Sequence, residues 1–217
     1  MSLQYRPVLA ITVLFAAALA GMSACSETTP STSPVASGPV TQAQVAGIVH
    51  VCASCHGFEG RSISPTFPNL AGQQPAYIEA QLKSFRDHKR GDPHAQTYMW
   101  GMAGSLSDDM IHGIAAFFSA EKPAPGETGN PAEMQAGKNI FEHGIAARHV
   151  PACQGCHGNH AQGMAVIPQL AGQHRDYIEK QLGYFASNAR KNRIMHENSK
   201  NLTADEIRDV ATYVAAQ

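Results

Sequence analysis

Cys52-Ala-Ser-Cys55-His56 returns about a hundred residues later as Cys153-Gln-Gly-Cys156-His157, and these two pentapeptides decide how the rest of the chain is read. Two cysteines separated by two residues, with histidine next, offer two thiols to the vinyl groups of a haem and an imidazole to its iron. A zinc site built from two CxxC pairs would need all four thiolates to converge, and it gives the histidines no role. A thioredoxin-like redox pair would need a βαβ setting, and no parallel-strand pattern of Val/Ile runs surrounds either motif. A pair of structural disulfides, the third alternative, needs only an oxidising compartment. The histidine after each pair favours two covalent haems c.

The N-terminus agrees with that reading. Arg6 precedes an almost wholly apolar run from Val8 to Ala20, too short to span a bilayer as a helix and of the length of a signal-peptide core. Residues 1–24 are therefore expected to direct export to the periplasm, the compartment in which bacterial haem c is attached. Cys25 is the one cysteine outside the CxxCH motifs. Its setting, Ala20-Gly-Met-Ser-Ala-Cys25-Ser, resembles a bacterial lipobox with Met22 in the usual leucine's place. The resemblance implies lipidation of Cys25 and a membrane anchor; ordinary cleavage after Ala20 or Ala24, leaving a free thiol, is the other reading. Residues 25–40 are rich in Ser, Thr and Pro and have nothing to bury, so they read as a disordered tether. At roughly 3 Å per residue, such a tether reaches about 45 Å.

Beyond it the chain is duplicated. Pro68-Asn-Leu-Ala-Gly-Gln73 is echoed by Pro168-Gln-Leu-Ala-Gly-Gln173, and Tyr77-Ile-Glu-Ala-Gln-Leu82 by Tyr177-Ile-Glu-Lys-Gln-Leu182. Phe85 and Phe185 follow three residues further on, and Leu106-Ser-Asp-Asp-Met-Ile111 is matched by Leu202-Thr-Ala-Asp-Glu-Ile207. The expected domains are 41–120 and 132–217, joined by a Pro/Gly linker over 121–131. Each half shows three helical stretches. Thr41-Gln-Ala-Gln44 has capping-box spacing and opens a helix running into Cys52, with Glu133 to His143 as its counterpart. Pro75 suits the first turn of a second helix, in which Tyr77, Ile78, Leu82 and Phe85 recur at helical spacing. Ser107 and Thr203 are N-cap candidates before Ile111, Ile114, Ala115 and Phe118, matched by Ile207, Val210, Ala211 and Val214. The fold class is all-α.

Domains this small build only limited cores, and a flat apolar haem at the centre of each would replace the missing side chains. The Tyr, Leu and Phe positions are read as packing. Charge is nearly balanced, with five Lys/Arg against six Asp/Glu over 41–120 and nine against eight over 132–217. No basic field suggests nucleic acid as a partner.

These segments resemble the dihaem class I cytochromes of the cytochrome c4 type, over Thr41 to Gln217. The likeness rests on both CxxCH motifs, both PxLAGQ segments, Tyr-Ile-Glu-x-Gln-Leu twice, and a methionine before each Leu-Ser/Thr-x-Asp helix start. It implies two tandem class I cytochrome c domains, each iron ligated by His and Met, His56 and His157 being the proximal ligands. Repeat register picks Met99 and Met195, each seven residues before the matched leucines Leu106 and Leu202, as the distal ones. Met102 is the rival in the first half; His196 and Met164 in the second have no counterpart at the same register. The resemblance also implies that the carbonyls of Pro68 and Pro168 accept the Nδ1 protons of the axial histidines, the alternative being that these prolines only turn the chain. It implies an exported one-electron carrier without a small-molecule substrate, passing electrons between redox partner proteins from a membrane oxidoreductase donor towards a terminal oxidase or other acceptor. A dihaem subunit of a periplasmic dehydrogenase is the alternative. A peroxidase needs an open iron position, which Met99 and Met195 would fill.

Overall fold

A computed structural model describes residues 40–217. The expected export signal, Cys25 and all of the tether but Val40 lie outside the described residues. Helix α1 (Gln42–His56) starts with the expected capping box: Thr41 Oγ1 accepts from Gln44 N at 3.3 Å, and Gln44 Oε1 accepts from Thr41 N at 2.8 Å. It continues unbroken through the first CxxCH. Helix α2 (Pro75–Arg86) begins on proline, whose missing N–H falls where no intrahelical partner exists. A π-helical turn over Ala95–Met99 runs into the short α3 (Trp100–Ala103). Helix α4 (Asp108–Ala120) is capped by Ser107 Oγ, which accepts from Met110 N at 3.2 Å, with Asp108 and Asp109 complementing the positive end of its dipole.

The second half repeats this order with differences. Helix α5 (Pro131–His143) starts two residues before the expected Glu133, because Asn130 Oδ1 accepts from Ala132 N at 2.9 Å and from Glu133 N at 3.4 Å while Pro131 takes the first position. The helix stops short of the second CxxCH. Gly144 ends it at φ +68°, where an added Cβ would lie 2.2 Å from the carbonyl oxygen of Val150. A 3₁₀ turn (Ala146–Arg148) follows, and the motif is then carried by its own short helix, α6 (Gln154–His157). Helices α7 (Arg175–Ala186), α8 (Arg193–Ser199) and α9 (Ala204–Ala215) complete the half, α9 opening on the expected Thr203/Glu206 capping box. Among the described residues there is no strand, only the isolated bridges Ile145–Val150 and Met164–Ile167.

The first and last helices of each half cross and pack. At the α5–α9 crossing the backbones nearly touch: a Cβ on Gly137 would sit 1.9 Å from Asp209 O. At the α1–α4 crossing Gly113 plays the matching part, packing on Val45 with 2.5 Å to its side chain from an added Cβ. Ile111, Ile114, Ala115 and Phe118, the stripe read from the sequence, are at most 2% exposed and pack with Val49, Ile78 and Leu82. Phe141, Ala211 and Val214 are fully buried in the second core, beside Ile140, Ile178 and Val210. Burying each such large side chain contributes roughly 1.5–3 kcal/mol, and both cores open on one side toward a common cavity.

Candidate functional site

The end of α1 leaves Cys52 half-buried, Cys55 exposed and His56 buried, and α6 places Cys153, Cys156 and His157 in the same way. His56 Nδ1 lies 2.9 Å from Pro68 O, and His157 Nδ1 lies 3.1 Å from Pro168 O. A carbonyl can only accept, so in both rings Nδ1 carries the proton and Nε2 keeps a lone pair. Burial pushes the pKa of both imidazoles down against the opposing pull of the proline carbonyls, which keeps the rings neutral and able to donate to a metal.

The cysteines do not form the alternatives. None of the four is in a disulfide. Burial pushes the Cys52 thiol up and the Cys153 thiol up to about 11, which disfavours a thiolate set. Among the described residues no group of three or more His, Cys, Asp or Glu is arranged to hold a metal ion.

What the motifs face is a cavity of about 480 Å³ that runs across both halves. Cys52, His56, Pro68 and Met99 line it from one half, Cys153, His157, Pro168 and Met195 from the other, between apolar walls that include Leu82, Phe85, Leu182 and Phe185. Met99 closes the π-helical turn, and Met195 sits in the first turn of α8, where its N–H donates to Asn192 Oδ1 at 3.0 Å. The rival residues point elsewhere. Met102 is 45% exposed and Met164 68% exposed, and neither lines the cavity. His196 spends its Nδ1 on Phe185 O at 2.8 Å.

Between the halves lies a polar cluster that reading Tyr77 and Tyr177 as packing did not anticipate. Arg90 donates from Nε to Asp92 Oδ2 at 2.8 Å and from its terminal nitrogens to Gln81 Oε1 at 2.9 Å and Gln181 Oε1 at 2.8 Å. Arg190 mirrors it, donating to Gln181 Oε1 at 2.7 Å, Gln81 Oε1 at 2.8 Å and the Tyr77 hydroxyl at 3.0 Å. Arg90 stacks over the Phe85 ring and Arg190 over Phe185. Burial pushes the Tyr77 hydroxyl's pKa up, but Arg190 and Arg90 outweigh it and hold the group below the usual tyrosine range. The sequence signal was available: Gln81/Gln181 and Arg90/Arg190 recur at the same spacing as the PxLAGQ segments.

This cluster supplies a test of fit for a haem. Two buried guanidiniums face one buried carboxylate, and Gln181 Nε2 is a buried donor with no partner. An uncompensated buried cation costs several kcal/mol, so the cluster calls for anionic acceptors, which the propionates of a haem provide. Thiols for the vinyl groups, neutral imidazole and thioether for the iron, and apolar walls for the macrocycle are all present.

A model described as cytochrome c matches twice, over residues 42–120 and 134–217. The chain belongs to the cytochrome c family. Its relatives include cytochrome c-552 of Acidithiobacillus ferridurans, 41% identical over 167 residues, which cover 76% of this chain and 73% of that one. A solved cytochrome c4 from Acidithiobacillus ferrooxidans is 40% identical with a TM-score of 0.73, the match covering 76% of this chain and 98% of the other. A thiosulfate dehydrogenase electron acceptor from Stutzerimonas stutzeri (strain A1501) is 33% identical over 172 residues, 76% of this chain and 77% of that one. The cytochrome is thus an all-α, two-domain protein of the c4 kind that carries two covalent haems c, and it acts as an electron carrier rather than a catalyst.

Proposed function

We propose that His56 with Met99, and His157 with Met195, are the axial ligand pairs of the two haems, held through thioethers at Cys52, Cys55, Cys153 and Cys156. The observation that supports this most is that each CxxCH histidine, held by its proline carbonyl, lines the same cavity as one methionine of its own half. When bound, each haem supplies a one-electron ferric/ferrous couple, and thioether ligation favours the ferrous form relative to bis-histidine ligation. The chain's own share of the work is to fix the imidazole tautomer through Pro68 and Pro168, to shield the site with apolar walls, and to neutralise anionic groups with Arg90 and Arg190.

The carrier works in the periplasm, exported by residues 1–24 and tethered to a membrane through a lipid on Cys25, with 41–120 and 132–217 as its haem domains. It receives electrons from a membrane oxidoreductase and passes them to a terminal oxidase or another protein acceptor. A second reading, service as the electron-accepting subunit of a periplasmic dehydrogenase, is supported by the 33% identity to a thiosulfate dehydrogenase electron acceptor. Affinity capture of the tagged cytochrome from native membranes, with identification of what co-purifies, separates the two. Recovery of an oxidase supports the carrier, and stoichiometric recovery of a dehydrogenase catalytic subunit replaces it. Loss of labelled-palmitate incorporation in Cys25→Ala tests the anchor; a wild-type chain that takes up no label refutes it.

A further inference from the structure

Among the described residues, His174 is the one histidine with both ring nitrogens in hydrogen bonds. Its Nδ1 lies 2.9 Å from Glu127 Oε1 and its Nε2 lies 2.9 Å from Ser62 O, so each nitrogen meets a group that can only accept. The three residues come from three parts of the chain. Glu127 belongs to the segment between the halves; its N donates to Ala215 O at 2.8 Å, and its Oε2 accepts from Arg175 N, at the start of α7, at 3.3 Å. Ser62 belongs to the first half, where it is buried and tied to the first CxxCH: its Oγ donates to Cys55 O at 3.0 Å and its N donates to Asn69 Oδ1 at 2.8 Å. The repeat supplies a control. Gln74, at the same place in the first half, donates to Gln162 O at 3.0 Å through an amide that does not titrate. Of the other charged groups around the ring, Arg175 pairs with Asp176 on α7, Arg61 beside Ser62 pairs with Glu59, and Glu133 of α5 is near enough to act on Arg175. Glu127 alone bonds the imidazole.

We propose that His174 is a proton-operated clasp between the halves: its imidazolium joins the connecting segment to the first half, and loss of one ring proton releases Ser62. A neutral imidazole has one N–H, so it serves one of the two acceptors and must turn a lone pair toward the other. The remaining proton goes to the carboxylate, because a hydrogen bond to a charged acceptor is roughly twice as strong as one to a neutral carbonyl. Nε2 then faces Ser62 O lone pair to lone pair, and that contact opens. The closed clasp holds its proton more firmly than the open one, so closure is complete on the acid side of the ring's titration and weakens as pH rises through it. The His174 side chain is 15% exposed, so its bonds are screened less than those of a surface pair. The Gln74 contact stays closed throughout, so the halves loosen at one edge and do not part. This device goes beyond electron carriage and does not depend on which residues ligate iron.

The test uses the intact ferrous holoprotein. Long-range proton–nitrogen NMR correlations of the imidazole rings report how many protons His174 carries at each pH, and amide hydrogen exchange reports the contact. The ring should carry two protons on the acid side of its titration and one beyond it. Over the same step, protection corrected for the intrinsic pH dependence of exchange should fall about threefold or more at the Ser62 and Asn69 amides. It should not fall at Gln169, whose N–H is held by Gln73 on the mirrored side. Glu127→Gln should move the ring's titration to lower pH, because it removes the charge that favours the imidazolium. In His174→Gln, which copies Gln74, the step in protection should vanish. The proposal is overturned by a ring that carries one proton throughout, by equal protection on both sides of the titration, by a step that survives in His174→Gln, or by a titration that Glu127→Gln leaves unmoved.

Discussion

Gln173→Ala should be among the most destabilising single changes at the contact between the halves. Gln173 sits at the end of the second PxLAGQ segment, 6% exposed, and reaches across to the first. Its Oε1 accepts from Asn69 N at 2.8 Å and from His174 N at 3.0 Å, and its Nε2 donates to Asn69 O at 2.9 Å. Truncation leaves the buried N–H and carbonyl of Asn69 without partners, and each abandoned group costs about 1–3 kcal/mol. The expected loss is therefore about 2–5 kcal/mol. Gln73 makes the mirrored pair to Gln169, accepting from its N at 2.8 Å and donating to its O at 3.0 Å. Gln169 is only half-buried, so water can replace part of what Gln73→Ala removes, and about 1–2 kcal/mol is expected. Urea unfolding of the holoprotein, followed by Soret absorbance and far-UV circular dichroism, measures both. A Gln173→Ala loss below about 0.5 kcal/mol, or one no larger than that of Gln73→Ala, refutes the reasoning.

Met99→Ala should abolish the red-end charge-transfer band of one ferric haem in optical spectra, and Met102→Ala should leave it unchanged. Gly137→Ala should destabilise by about 2 kcal/mol or more in thermal unfolding, because the clash with Asp209 O outweighs the helix-propensity gain of about 1 kcal/mol; Gly47→Ala, exposed on α1 with nothing within 4 Å of the added Cβ, should instead stabilise by about 0.5–1 kcal/mol. Burial pushes the Glu206 carboxyl up, but the hydrogen bonds from Arg148 and Thr203 outweigh it and hold its pKa below the usual glutamate range. Its contribution is thus complete above that range and lost as pH falls through the lowered value, so urea midpoints of Arg148→Ala should fall less steeply than wild type on acidification, by about 1 kcal/mol or less for this partly exposed pair.

Local rules made most of the helices legible. Thr41, Ser107 and Thr203 cap as their side chains dictate, Pro75 opens α2, and the Ile111–Phe118 stripe is buried because its spacing leaves one face apolar. The His–Pro distances were legible only through resemblance, since nothing in a proline twelve residues downstream in one half and eleven in the other dictates where its carbonyl points. The end of α5 at His143 falls where the sequence placed it, but the 3₁₀ turn and separate helix α6 that follow were not read, because they depend on Gly144 taking positive φ beneath the Val150 carbonyl, a tertiary fit. The polar seam was missed for a related reason. Gln81, Arg90 and their counterparts lie in segments that alone read as solvated helix and loop, and only docking of the two halves buries them.

That seam gives the duplication its consequence. Each half uses the same residues to hold its partner: Gln73 and Gln173 bond the backbone of Gln169 and Asn69, and Arg90 and Arg190 bond each other's glutamines. A shared set of contacts related by the repeat would, left alone, make the two sides of the cavity alike. The departures fall beside the seam. His174 replaces Gln74, reaching Ser62 O at 2.9 Å where Gln74 reaches Gln162 O at 3.0 Å, and its other ring nitrogen faces Glu127. Asp92 replaces Asn192, and four extra residues between Arg90 and Met99 form the π-helical turn that Arg190 to Met195 lacks. The repeated residues therefore hold the halves together, while the departures give the two sides of the seam different charge and hydrogen bonding. An electron carrier with two centres needs that fixed seam, because the spacing sets how fast an electron crosses.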